Sequence, residues 1–212
     1  MTVTTWQHFR RRGLIWLGLG AATEPTWAHH AMEGRIPANV FEGLLSGFAH
    51  PVIGLDHFAF VIAIGLLAMN AKGRYGIPAA FVFATVAGTG LHLASINLAG
   101  AEIAVALSLV IAGGMLIWRQ WSGRHLTLML GATAGVFHGY AYGESIVGAQ
   151  SGPLAAYLLG FALIQYLIAA AVIWFGGRWN RCESFPARSP LVLRATGSIV
   201  GLIGIGFMAL NI

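Results

Sequence analysis

From residue 51 onward the chain is a succession of apolar runs near 51–70, 76–98, 102–118, 126–143, 153–176 and 192–211, separated by short stretches holding charges, glycines and prolines. In a bilayer every backbone N–H and C=O must be satisfied within the chain, and a helix needs about 20 apolar residues to cross the hydrocarbon. The pattern predicts an all-α fold, a polytopic membrane helix bundle of six transmembrane helices. Only 9% of residues are charged and 57% are hydrophobic, against roughly one-quarter charged in soluble domains. At 212 residues the chain has no room for a separate soluble domain, so any function must lie in the bundle or at its edge.

Ahead of the bundle, Arg10-Arg11-Arg12, the short apolar stretch Gly13 to Ala22 and the small residues of Thr26-Trp27-Ala28 have the form of a signal peptide. Cleavage after Ala28 is expected, giving a signal peptide over 1–28 and a short periplasmic segment over 29–50. It would leave His29 as the N-terminal residue, whose α-amine and imidazole together form a metal chelate, with His30 adjacent. Within 29–50, Val40, Phe41, Leu44, Leu45 and Phe48 recur at helical spacing, which predicts an interfacial helix or an outward extension of the first span.

Apart from Arg10-Arg11-Arg12, the basic residues behind the net charge of +5 are scattered singly through inter-helix loops, without interleaved surface aromatics, so nucleic acid is not expected as a partner. With the mature N-terminus outside, Lys72, Arg74, Arg119, Arg124, Arg178, Arg181, Arg188 and Arg194 all fall on the cytoplasmic side, against Arg35 outside. This asymmetry predicts six spans in an inner membrane, with both mature termini periplasmic. The single cysteine, Cys182, excludes an intrachain disulfide and a paired-cysteine metal clasp.

Against this apolar background stands His50-Pro-Val-Ile-Gly-Leu-Asp56-His57, which holds the only aspartate in the chain. An Asp at a helix centre costs roughly 2.5–3.5 kcal/mol to insert, so it needs a partner or a task. Imidazole beside carboxylate is a ligand set for first-row transition metals. Pro51 disfavours helical geometry at His50 and suits a first helical position, so the helix is expected to start at Pro51 with His50 at its cap. His50 and His57 would then share a face about 10 Å apart along the axis, unless unwinding at Gly54 closes the gap.

The expected topology places further polar groups at the same outer level: His92 near the end of the second span, Glu102 opening the third, His138 near the end of the fourth and Glu144 just beyond it. The fourth run also carries Gly131, Gly135, Gly139 and Gly143, a stripe that lets another backbone approach closely. Tyr142 follows His138 on the same face.

The chain resembles the HupE/UreJ family, small membrane proteins associated with nickel supply to hydrogenase and urease. The resemblance rests on His50-Pro-x-x-Gly-x-Asp56-His57, on the Glu102 turn, on Phe137-His138-Gly-x-Ala-x-Gly-Glu144, and on the layout of signal peptide, early histidine and six spans. It implies uptake of Ni²⁺ or Co²⁺ as a transported ligand, with no permanent cofactor and no enzymatic reaction. It also implies that His50, Asp56, His57, His138 and Glu144 are metal-site residues, joined as candidates by His92, Glu102 and His29. The expected partners are a divalent metal ion, the lipid bilayer and metalloenzyme maturation proteins. Two departures are visible: Tyr142 stands where many relatives carry a second histidine, and the histidine-rich stretch after the signal is reduced to His29-His30. The main rival is an accessory or scaffold membrane protein that binds metal without moving it. A membrane hydrolase is disfavoured by the lack of a His-Glu-x-x-His motif and of a Gly-x-Ser-x-Gly elbow at Ser145, and Cu(I) transport by sparse, unpaired methionines.

Overall fold

The structure is a computed structural model that describes residues 35–69, 71–118, 123–179 and 189–211. The signal peptide, His29 and Cys182 lie outside the described residues. Among the described residues seven helices follow one another: α1 (Val40–Ile53), α2 (Leu55–Ala68), α3 (Gly76–Leu93), α4 (Ala101–Ile117), α5 (Arg124–Glu144), α6 (Ser151–Trp179) and α7 (Pro190–Leu210).

Local chemistry sets several of the ends. Asn39 caps α1 by accepting from the Glu42 N–H at 2.9 Å, and Glu42 reaches back past the cap to the Ala38 N–H at 2.9 Å, so both side chains satisfy free donors at the helix start. Ser189 caps α7 through the Val192 N–H at 3.1 Å, with Pro190 in the first turn. The second apolar run stops at Leu93 rather than near 98, because Ser95 takes a positive φ of 58°.

The expected start at Pro51 is corrected. Helix α1 runs through His50 and Pro51 to Ile53, Gly54 turns extended with ψ 103°, and α2 begins at Leu55. The pair bends by 77°. The cause is local: proline lacks the N–H that would bond to the carbonyl of Gly47, and Gly54 takes the non-helical turn three residues later. Packing overrides the local preference at His50, since the buried face of α1, Gly43, Ser46, Gly47 and His50, lies against α6. A Cβ at Gly43 would meet the backbone of Pro153, and one at Gly47 the backbone of Tyr157 and Phe161.

Further along, Gly65 of α2 abuts Ala169 and Val172, and Met69 abuts Gly176. Partners on α6 thus advance in one direction, from Pro153 to Gly176, as the chain passes from α1 into α2. The pair does not double back along α6: it runs as one broken helix beside a helix of 29 residues, about 43 Å long.

Two other close helix pairs complete the bundle. Gly135, Gly139 and Gly143 of α5 lie against Phe81, Thr85 and His92 of α3, a parallel pair in which the Thr89 hydroxyl donates to the Gly139 carbonyl at 2.7 Å. The glycine stripe read from the sequence does bring α5 against a neighbour. Helices α4 and α7 are antiparallel, Gly113 facing Gly197 and Gly201, and Ala106 facing Gly204. Helix α2 packs among all three pairs, and most of its residues are buried, from Asp56 and His57 to Leu67 and Ala68.

Helices α3, α6 and α7 are each long and apolar enough to cross a membrane, and α1 with α2 qualifies jointly as a fourth. Helix α4 is apolar but has 17 residues. Helix α5 has 21 residues but is the least apolar of the set, with Thr127, His138 and its glycines buried against neighbours. Among the described residues Lys72, Arg74, Arg124, Arg178 and Arg194 sit at helix ends or in turns at the same end of the bundle; Arg124 lies near Gly73, and Arg74 near Gly177. The His50–Asp56–His57 break is toward the other end.

Candidate functional site

The break at Gly54 places three helices around one buried polar cluster. His50 comes from the last turn of α1, Asp56 and His57 from the first turn of α2, and His138 from α5; all four are buried. Bending replaces the expected separation of about 10 Å along one helix axis with ring centroids 5.9 Å apart for His50 and His57. His57 and His138 are closer, their centroids 5.0 Å apart and their Nδ1 atoms within hydrogen-bond distance at 2.8 Å.

Asp56 divides its carboxylate between two tasks. Its Oδ1 accepts the His57 backbone N–H at 2.8 Å, which with the start of α2 stabilises negative charge at a helix N-terminus. Its Oδ2 lies 4.0 Å from His57 Nε2. Gly54 makes this possible: a Cβ there would stand 2.8 Å from His57 Cδ2 and 3.2 Å from Asp56 Oδ1. At φ −67° the backbone would accept any residue, so the requirement is steric. Gly54→Ala is expected to displace the His57 ring or the Asp56 carboxylate while shifting the melting temperature by only a few degrees; comparing the histidine ring NMR signals with a thermal melt in detergent checks it.

Around His50 a second network closes. Its Nδ1 lies 3.1 Å from Ser145 Oγ and 3.0 Å from the Tyr157 hydroxyl. Both hydroxyls also reach the Tyr142 carbonyl, at 3.0 and 3.1 Å. The Ser145 hydroxyl donates to that carbonyl, so its contact with His50 is part of a shared structural network rather than an isolated nucleophile and base.

Tyr142 itself is fully buried and packs its ring on both imidazoles, 4.9 Å from His50 and 4.3 Å from His57. Its hydroxyl points away, donating to Gln165 Oε1 at 3.4 Å, and Gln165 Nε2 donates to the Phe161 carbonyl at 3.0 Å. Tyr142 thus forms an aromatic wall. On the other side Phe60 lies 4.5 Å and Phe81 5.9 Å from the His138 ring. Beyond them the interior continues as Ile64, Leu67, Leu109 and Ala112.

The other described candidates, Glu102, Glu144 and His92, do not enter this cluster. Glu102 and Glu144 are exposed, and His92 is half-buried, stacked at 4.5 Å on Tyr140 with Nδ1 buried and lacking a hydrogen-bond partner. Among the described residues no set of three His, Cys, Asp or Glu side chains is arranged as for a metal ion; His57 and His138 point nitrogens at each other instead. The sequence reading missed Ser108, Tyr157 and Gln165. The signal available was a lone polar residue inside an apolar run, which is expensive unless it is used.

A family model described as HupE / UreJ protein matches residues 17–207. Protein HupE of Rhizobium leguminosarum bv. viciae is 26% identical over 168 residues, covering 77% of this chain and 83% of the relative. No solved structure matches the chain. The family match takes in α1 to α6 entirely and most of α7, so every residue of the buried cluster lies inside it, and the chain belongs to the HupE/UreJ family.

Proposed function

We propose that this protein takes up a divalent transition metal, Ni²⁺ or Co²⁺, across the inner membrane for metalloenzyme maturation. The observation that carries the reading is the burial of His50, His57 and His138 with Asp56, drawn from three helices, inside an otherwise apolar bundle. Imidazole and carboxylate are costly in such surroundings and so need a use, and nitrogen with oxygen donors suits these ions better than Cu(I). In this reading α1 with α2, and each of α3 to α7, cross the membrane, six spans in all, after a signal peptide over 1–28; the first span then starts at Val40 rather than at 51, and the periplasmic segment shortens from 29–50 to 29–39. The basic end faces the cytoplasm and both mature termini the periplasm.

Glu102 and Glu144, exposed at the periplasmic end, raise the local cation concentration, with His29 and His92 as further outer contacts. His50 and His57 then exchange hydration waters for imidazole nitrogen while Asp56 neutralises part of the charge. The membrane potential drives inward movement by about 2.3 kcal/mol per charge per 100 mV, doubled for a divalent ion. No chemical transformation of a substrate is needed, and the ion is cargo rather than cofactor.

One observation favours a second reading, a metal-binding accessory protein without transport. Inward of His138 the described core residues Phe60, Phe81, Ile64 and Leu109 are apolar. Reconstitution separates the two: proteoliposomes with an internal Ni²⁺-sensitive dye are expected to show potential-driven uptake over empty vesicles. Binding of Ni²⁺ without internal signal would favour the accessory role, and absence of both would overturn the metal reading.

A further inference from the structure

His138 uses both of its ring nitrogens inside the protein. Nδ1 is 2.8 Å from His57 Nδ1, and Nε2 is 3.0 Å from Ser108 Oγ. The direction of each bond follows from counting hydrogens. A serine hydroxyl has one hydrogen, and that of Ser108 goes to the Val105 carbonyl at 2.6 Å. By distance alone either atom could donate in the His138–Ser108 and His57–His138 contacts; with the Ser108 hydrogen on the carbonyl, Ser108 Oγ accepts from His138, which places the His138 hydrogen on Nε2. Neutral His138 then has its lone pair on Nδ1, so the hydrogen between the two Nδ1 atoms belongs to His57. In neutral His57 the remaining lone pair is on Nε2, the nitrogen that faces Asp56 Oδ2 at 4.0 Å.

We propose that His138 is not a ligand of the transported ion but a positioning residue, and that Ser108, through His138, fixes the His57 tautomer that aims Nε2 toward Asp56. The proposal rests on the metal-binding reading and sharpens it: His57 and Asp56 hold the ion, and α4 and α5 supply the groups behind them. The surroundings suit this role. His138 and Ser108 are buried, Phe60 and Phe81 flank the His138 ring, and the backbone of α4 anchors Ser108. Hydrogen bonds behind a ligating histidine set its orientation and tautomer, and their loss typically lowers metal affinity 10–100-fold. Sequence alone treats His138 as a ligand like His57, because a relay through Ser108 depends on α4 meeting α5 next to α2.

Two measurements test it on the full chain in detergent. In metal-free protein labelled with ¹⁵N-histidine, the imidazole signals are expected to show hydrogen on Nε2 of His138 and on Nδ1 of His57. Ser108→Ala should abolish that preference, and Ser108→Thr should restore it. Hydrogen on Nδ1 of His138 in the wild type, or no change in Ser108→Ala, would overturn the relay. With Ni²⁺ bound, X-ray absorption should count one fewer imidazole in His57→Ala but the same number in His138→Gln. A lost imidazole in His138→Gln would make His138 a ligand and refute the proposal. Failure of the wild type to bind Ni²⁺ overturns the metal reading and the ligand assignment with it, and the relay is then decided by the nitrogen signals alone.

Discussion

Replacing Asp56 by asparagine is expected to lower Ni²⁺ uptake at least tenfold, to the background of cells lacking other nickel permeases, while folded protein accumulates at the wild-type level. Asparagine keeps the side-chain oxygen that accepts the His57 N–H at 2.8 Å, so the start of α2 survives; only the charge is removed. At about 4 Å and an effective dielectric constant near 20, one unit charge on another is worth about 4 kcal/mol, and a divalent ion doubles it. Desolvation cancels part of this, yet each 1.4 kcal/mol that remains is a factor of ten. His57→Ala should give the same loss through the nitrogen donor. Radiolabelled Ni²⁺ uptake, with detergent-extracted protein quantified in parallel, is the measurement. Uptake equal to wild type in both variants would sink the assignment of this site.

The largest structural effect is expected at Gly139. Its added methyl would run into the backbone of Thr85, and backbone cannot step aside as a flexible side-chain tip can. Gly139→Ala must push α3 and α5 apart, which weakens the Thr89 hydroxyl bond to the Gly139 carbonyl, 2.7 Å in the native pair, and shifts the adjacent His138. Overpacking of this kind costs about 1–3 kcal/mol or more. The matched control is Gly90→Ala on α3, where nothing lies within 4 Å of the new methyl; it should be neutral to about 1 kcal/mol stabilising. Thermal melts of the two variants in one detergent should move in opposite directions, or one should fall steeply while the other stays level. Equal shifts would show that close approach of α3 and α5 does not limit stability.

Much of the fold was legible because bilayer insertion writes itself into composition. Apolar runs of the right length, basic residues in alternate loops and a glycine every four residues on α5 each act through one element and its nearest neighbour. The glycine stripe is the best example: small residues at one helical face leave little else for that face to do than pack closely, and Gly135 and Gly139 meet α3 as expected. Pro51 was misread for a comparable reason. A proline disfavours helical geometry in the residue before it and suits a first helical position, the local signature of a helix start, and only the packing of Gly43 and Gly47 on α6 carries α1 through it.

The site divides in the same way. Sequence by itself determined that His50, Asp56, His57 and His138 are too polar for their apolar runs to carry without use, because the cost of placing such groups in lipid is a property of each residue. Tertiary structure alone decided which of them meet. The bend at Gly54 turns two histidines of one stretch toward a common point. The parallel packing of α3 and α5 sets His138 beside them while Glu102 and Glu144 stay exposed. The contact of α4 with α5 brings Ser108 behind His138. Those outcomes depend on angles and distances between helices far apart in the chain, which no local pattern of residues encodes.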